Sequence, residues 1–129
     1  MMPPSSSRPR NNARVAAYLK GHRGEALAAW YLRLKLYRVL ATRYKTAVGE
    51  IDLVAERFGT LAFVEVKARR SLASEAEALG AVNQRRIAHA AELWLAKHPR
   101  RTVRIMRFDV IFLARNRWPR HVINAFDAT

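Results

Sequence analysis

Hydrophobic residues along this chain change period several times, and each change marks an element. From Gly49 to Arg69 the sequence GEIDLVAERFGTLAFVEVKAR holds two β-type runs, EIDLVAE and LAFVEVKA. Arg57-Phe58-Gly59-Thr60 separates them and carries a glycine for a tight turn, which predicts a β-hairpin. Upstream, from about Ala13, the period is helical, interrupted at Gly21 and Gly24 and strongest from Glu25 to Tyr37. There Leu27, Tyr31 and Leu34 make one stripe and Ala28, Ala29, Leu32 and Leu36 another, so this helix is expected to pack between other elements. Trp30, Tyr31 and Tyr37 read as core or boundary residues rather than base-stacking platforms. Tyr37 to Thr46 alternates as a strand and leads into the hairpin, giving a three-strand antiparallel meander. Residues 71–80, SLASEAEALG, predict a loop with a helical start. Ile87, Ala90, Ala91 and Trp94 define an amphipathic helix between Val82 and Lys97, ended by Pro99. Thr102 to Arg115 is nearly continuous in apolar character after Arg107, as expected of a strand buried on both faces. Trp118-Pro119 marks a turn, and His121 to Phe126 adds a short edge strand. The predicted order is helix, three strands, helix, strand, edge strand: an α/β domain with a mixed sheet flanked by helices.

Alternation also decides which polar side chains meet. Glu50 and Asp52 share one face of the first hairpin strand, and Glu65 and Lys67 share one face of the second. Ile51 and Leu53, like Val64 and Val66, are expected on the opposite face. A register that joins the polar faces brings three carboxylates and one ammonium to a single patch. Asp52 and Glu65 offer the hard oxygens that a magnesium-type cation takes, and the Val66 carbonyl is the most plausible third. Lys67 is spaced to orient or deprotonate an attacking water and to stabilise charge developing on a phosphate. The plainer alternative is a solvated strand face, since acid-x-Lys is often no more than that. Glu25, in the first turn of its helix with Ala28, Ala29 and Leu32 as turn-mates, suits either the helix dipole or a metal contact. Arg107 and Asp109 share a strand face and read as a structural pair or as a contact behind the site.

Asp52, a gap of twelve residues, then Glu65-Val66-Lys67 resembles the PD-(D/E)XK nuclease signature. The wider frame is similar to the YraN-type family of uncharacterised bacterial proteins, related to Holliday-junction resolvases. Gly24-Glu25-Ala26, Gly49-Glu50-Ile51-Asp52-Leu53, Phe63-Val64-Glu65-Val66-Lys67 and Arg107-Phe108-Asp109 carry that resemblance. It implies a restriction-endonuclease-like fold, a Mg2+ or Mn2+ site at Asp52 and Glu65, Glu25 as an auxiliary acid acting through water, and Lys67 as the catalytic lysine. Glu50 stands where the wider signature often has proline, fits the narrower family and adds a further acid.

Charge sharpens the partner. Lys and Arg total 24 against 10 Asp and Glu, a formal net charge of +14, which favours a polyanion. No apolar run approaches the length of a spanning helix and no uniformly basic amphipathic helix stands out, so nucleic acid, DNA before RNA, is preferred to a membrane surface. Arg69 and Arg70, after Lys67, and Arg85 and Arg86, on the outer face of the second helix, are the candidate phosphate contacts. Residues 1–12, MMPPSSSRPRNN, predict a disordered basic tail ahead of a single domain over 13–129. The absence of cysteine excludes disulfides and suits a reducing cytoplasm, and the four histidines lack zinc-ligand spacing. The leading expectation is a divalent-metal-dependent endonuclease on structured, branched or junction DNA, for which a homodimer would be suited; a non-catalytic nucleic-acid-binding module of the same fold competes with it, and an assembly factor using its basic surface on a protein partner is a third option.

Overall fold

The hairpin forms, and its tip shows why two residues suffice to close it. Phe58 and Gly59 both take positive φ, 51° and 77°, the pairing that matches the twist of the flanking strands. The computed structural model describes residues 22–68, 83–99 and 105–127. Among the described residues two helices, α1 (His22–Leu34) and α2 (Gln84–Lys97), accompany five strands: β1 (Arg38–Lys45), β2 (Glu50–Arg57), β3 (Thr60–Ala68), β4 (Ile105–Leu113) and β5 (Arg120–Phe126). The sheet order is β1-β2-β3-β4-β5, with β3 and β4 parallel and every other pair antiparallel. This is the predicted mixed sheet flanked by helices. The predicted tail at 1–12, the segment 71–80, Arg69 and Arg70 lie outside the described residues.

Each helix covers one sheet face. On one side Ala28, Ala29 and Leu32 of α1 pack on Leu53, Ala55, Ala62, Val64, Val66, Ile111 and Leu113. On the other, Ile87, Ala90, Ala91 and Trp94 of α2 pack on Val54, Leu61, Phe63, Val110 and Phe112. Strand β4, flanked by β3 and β5, is buried from Phe108 to Leu113, as its unbroken apolar run predicts. Asn83 caps α2 through its side-chain oxygen, which accepts the Arg86 N–H at 3.2 Å.

Two expectations about α1 are corrected. The helix ends at Leu34, and Leu36 has left it with φ 69° and 72% exposure. The alanine-rich stripe packs through Ala28, Ala29 and Leu32; of the other stripe Tyr31 is half-buried against that core, while Leu27 and Leu34 remain exposed. Small residues let the helix sit close to the sheet, and a single sheet face has room for one stripe. Trp30 is consequently outside the core, 45% exposed, whereas Tyr37 is buried as expected.

Candidate metal centre and its cavity

Strand β2 breaks its own alternation just where the acids stand. Ile51 and Val54 both point into the α2-side core, while Leu53 points into the α1-side core. Strict alternation would put Ile51 with Leu53, so the strand turns by an extra step across Asp52-Leu53. The partner strand turns with it: Tyr44 pairs Ile51, Thr42 pairs Leu53, and Arg43 between them has φ 51°. The expectation that Ile51 and Leu53 share a face fails for this reason.

The turn swings Asp52 toward the first turn of α1. Carboxylate oxygens of Glu25, Glu50 and Asp52 all lie within 4.8 Å of one another. Glu25 and Asp52 are buried, at 6% and 5% exposure, and Glu50 is exposed. Arg43 Nε stands 3.5 Å from Glu25 Oε2, a partial counter-charge. The β2–β3 ladder pairs from Arg57–Thr60 to Leu53–Val64, and at its end the Val66 N–H donates to Asp52 Oδ2 at 2.8 Å. A side-chain carboxylate thus takes over from the backbone ladder and fixes its own orientation. Like charges this close in a half-buried setting repel, and three hard oxygen donors suit a Mg2+- or Mn2+-type ion.

Beside the acids opens a cavity of about 520 Å³. Glu50, Glu65 and Lys67 line it, with Lys45 and Thr46 from the end of β1 and Asn83, Arg86 and Ile87 from the start of α2. Its wall is set by close packing. Thr46 Oγ1 accepts the Val48 and Gly49 N–H groups at 3.2 and 3.0 Å, and Arg86 Nε donates to the Val48 carbonyl at 3.2 Å. A Cβ on Gly49 would fall 2.6 Å from the Arg86 backbone carbonyl oxygen, so the β1–β2 turn meets α2 at a distance only glycine permits. Glu50 belongs both to the acid trio and to the cavity wall.

Of the residues singled out by sequence, Glu25, Glu50 and Asp52 are brought together as acids, and Glu65 and Lys67 as neighbours on the cavity wall. Glu65 is not a member of the trio. Arg86 joins the cavity, and Arg85 is exposed on the outer face of α2. Sequence reasoning ranked Glu50 behind the others and passed over Arg43 and Lys45. Glu50 carried a signal, its place two residues before Asp52, while Arg43 reaches the site through a positive φ that no local pattern announces.

The pair Arg107–Asp109 forms as a structural contact, with more partners than expected. Asp109, fully buried, accepts from Arg107 Nε and Nη2 at 3.1 and 2.8 Å, from His121 Nε2 at 2.7 Å and from the Asn124 N–H at 2.9 Å. Arg107 Nη2 also donates to the Tyr37 hydroxyl at 2.8 Å, and the Lys35 ammonium reaches His121 Nδ1 at 2.7 Å. Burial alone would raise the Asp109 carboxyl, but the hydrogen bonds from His121, Arg107 and Asn124 outweigh it and hold it below the usual carboxylate value. Burial, then the neighbouring Arg57 charge, lower the Lys35 ammonium.

Among the described residues no helix is long and apolar enough to cross a membrane. Residues 24–113 match the uncharacterised protein family UPF0102. A UPF0102 protein of Chelativorans sp. is 51% identical over 116 residues, which cover 90% of this chain and 94% of the relative. Another, of Rhodopseudomonas palustris, is 50% identical over 123 residues, 95% of each chain. A third, of Mesorhizobium japonicum, is 52% identical over 114 residues, 88% of this chain and 91% of the relative. The chain belongs to the UPF0102 family, the YraN-type group that its sequence blocks resemble.

Proposed function

We propose that this member of the UPF0102 family is a divalent-metal-dependent endonuclease acting on structured DNA, with branched or junction DNA as the form it suits best. The observation that carries this is the crowding of Glu25, Glu50 and Asp52 within 4.8 Å beside a cavity that also holds Glu65 and Lys67. Mg2+ or Mn2+ held by those three acids would supply Lewis-acid polarisation of a phosphate oxygen. The chain's own residues do the rest. Lys45, Lys67 and Arg86 give the cavity wall a positive surplus over Glu50 and Glu65, which draws a phosphate in. Lys67 hydrogen-bonds the attacking water and stabilises charge developing on the phosphoryl group, and Glu65 beside it accepts from the same water. Arg85, Arg86 and the arginines following Lys67 take flanking phosphates. A double-strand cut at a junction calls for two copies, so the acting form is a homodimer, at work in the cytoplasm.

A second reading, a nucleic-acid-binding module without cleavage, has one observation in its favour: Glu65 stands outside the acid trio. Cleavage of linear, flapped and four-way DNA in Mg2+ and in Mn2+ separates the two. The expected result is metal-dependent cutting by the wild type, lost in Asp52→Asn, Glu65→Gln and Lys67→Ala while DNA binding is retained. Binding should neutralise on the order of five phosphates, so log affinity falls with log salt at a slope of about −4 to −5, flattened by charge reversal at Arg85 and Arg86. A wild type that binds DNA with that slope but cuts none of these substrates with either metal leaves the binding module in possession. Binding that ignores salt, or none at low salt, removes both.

A further inference from the structure

Two of the three tryptophans meet on the surface. Trp30, on the outer side of α1, and Trp118, in the turn between β4 and β5, lie with planes 4° apart and ring centroids 6.1 Å apart. They are 45% and 70% exposed, while Trp94 is buried at 1%. Parallel rings in contact at that centroid distance are strongly offset, so each leaves much of a face open. Trp118 is held outward by the chain itself, because the next residue, Pro119, is buried and anchors the turn.

Exposed indoles side by side call for an occupant, and the surrounding charge selects it. Arg33 follows Trp30 by three residues on α1, and Arg115 and Arg117 precede Trp118 in the turn; all three are exposed. Neither the outer stripe of α1 from Ala26 to Leu34 nor the stretch from Val110 to Phe126 contains an acid. A second copy of a chain at +14 would bring like charge against this face. Flat apolar rings among arginines instead fit a ligand with π faces strung on an anionic backbone. We propose that Trp30 and Trp118 form a stacking platform for unpaired bases of single-stranded nucleic acid, with Arg33, Arg115 and Arg117 on its phosphates. Bases inside a duplex have no free face to offer, so the platform reads unpaired strand, the part that distinguishes branched or flapped DNA from linear duplex. The inference rests on the nucleic-acid reading above and adds to it the substrate feature that is recognised.

The test is binding without cleavage, in EDTA, of a short oligothymidylate and of a duplex of equal length. The oligothymidylate should quench tryptophan fluorescence, and Trp118→Ala should weaken its binding roughly 5- to 140-fold, the equivalent of one stacked base, while duplex affinity stays unchanged. Trp118→Phe, which keeps a stacking face, should recover most of the loss, and both variants should melt at the wild-type temperature. Wild-type affinity for oligothymidylate in Trp118→Ala, with duplex binding intact, overturns the platform and leaves the nuclease proposal standing. Sedimentation that finds a wild-type dimer dissociated by Trp118→Ala also overturns it, because the indoles would then be covered by a second copy. Failure to bind either form of DNA removes the nucleic-acid reading and the platform with it.

Discussion

At one end of α1, Asp109 is fully buried yet accepts two hydrogen bonds from Arg107, one from His121 and one from the Asn124 N–H, with Lys35 behind His121. At the other end, Glu25, Glu50 and Asp52 crowd within 4.8 Å, with Arg43 at 3.5 Å from Glu25 and the Val66 N–H on Asp52. Both clusters lie against the same sheet, one beside the first turn of α1 and the other just past its last turn. What differs is the neighbours each carboxylate keeps. The Asp109 end closes its account within the chain, and a cluster of that kind serves the fold by tying the start of β1, β4 and β5 together. The Glu25 end sets three carboxylates side by side, one of them on the wall of a cavity, and that arrangement would gain by taking a cation. Two polar clusters of similar residue types can thus be sorted by whether a carboxylate stands among donors or beside other carboxylates.

The largest effect should come from breaking the balanced end. Asp109→Ala leaves Arg107 and His121 without their acceptor and is expected to cost about 3 to 5 kcal/mol in urea unfolding. Acid should do the same gradually. The folded-state pKa of Asp109 lies below its unfolded value of about 3.9, so the folded protein binds fewer protons in that window. The stabilisation is complete above the unfolded value and is lost as pH falls through the folded one. A melting series from neutral pH downward should show that loss in the wild type and not in Asp109→Asn; parallel curves would mean that the acid limb belongs to other groups.

A smaller effect is expected where the turn meets α2. Gly49→Ala forces a methyl against the Arg86 carbonyl and should cost about 1 to 3 kcal/mol, with the cavity wall displaced. Wild-type stability in that variant would show that the close approach is not obligatory. The smallest effect belongs to the crowded end in the absence of metal. Asp52→Asn keeps an oxygen to accept the Val66 N–H and removes one of three repelling charges, so unfolding in EDTA should be unchanged or slightly harder. A loss as large as that of Asp109→Ala would erase the contrast between the two ends.

Much of this was legible in residue order, and the exceptions share a cause. The hairpin, the α2 stripe of Ile87, Ala90, Ala91 and Trp94, and the buried run of β4 follow from periods of two and of 3.6, which the backbone imposes locally. Periodicity could not say which of two apolar stripes on α1 is covered, because that depends on how much sheet is there to cover it. Nor could it show the extra turn at Asp52-Leu53, which arises jointly in two strands and is fixed by the left-handed backbone of Arg43. Glu50 and Glu25, expected near Asp52, are found there, whereas Glu65 stands on the cavity wall outside the trio. Lys35 and His121, 86 residues apart, meet with no local signal at all.

The central claim, that the crowded acids are a cation site, is tested most directly by the melting midpoint as Mn2+ or Mg2+ is added. Wild type should be stabilised by mass action, about 2.7 kcal/mol when the ion is present at a hundredfold its dissociation constant. Asp52→Asn and Glu25→Gln should start at or above the wild-type midpoint in EDTA and gain little from either ion. Equal stabilisation of the wild type and both variants, or none in the wild type, would contradict the assignment.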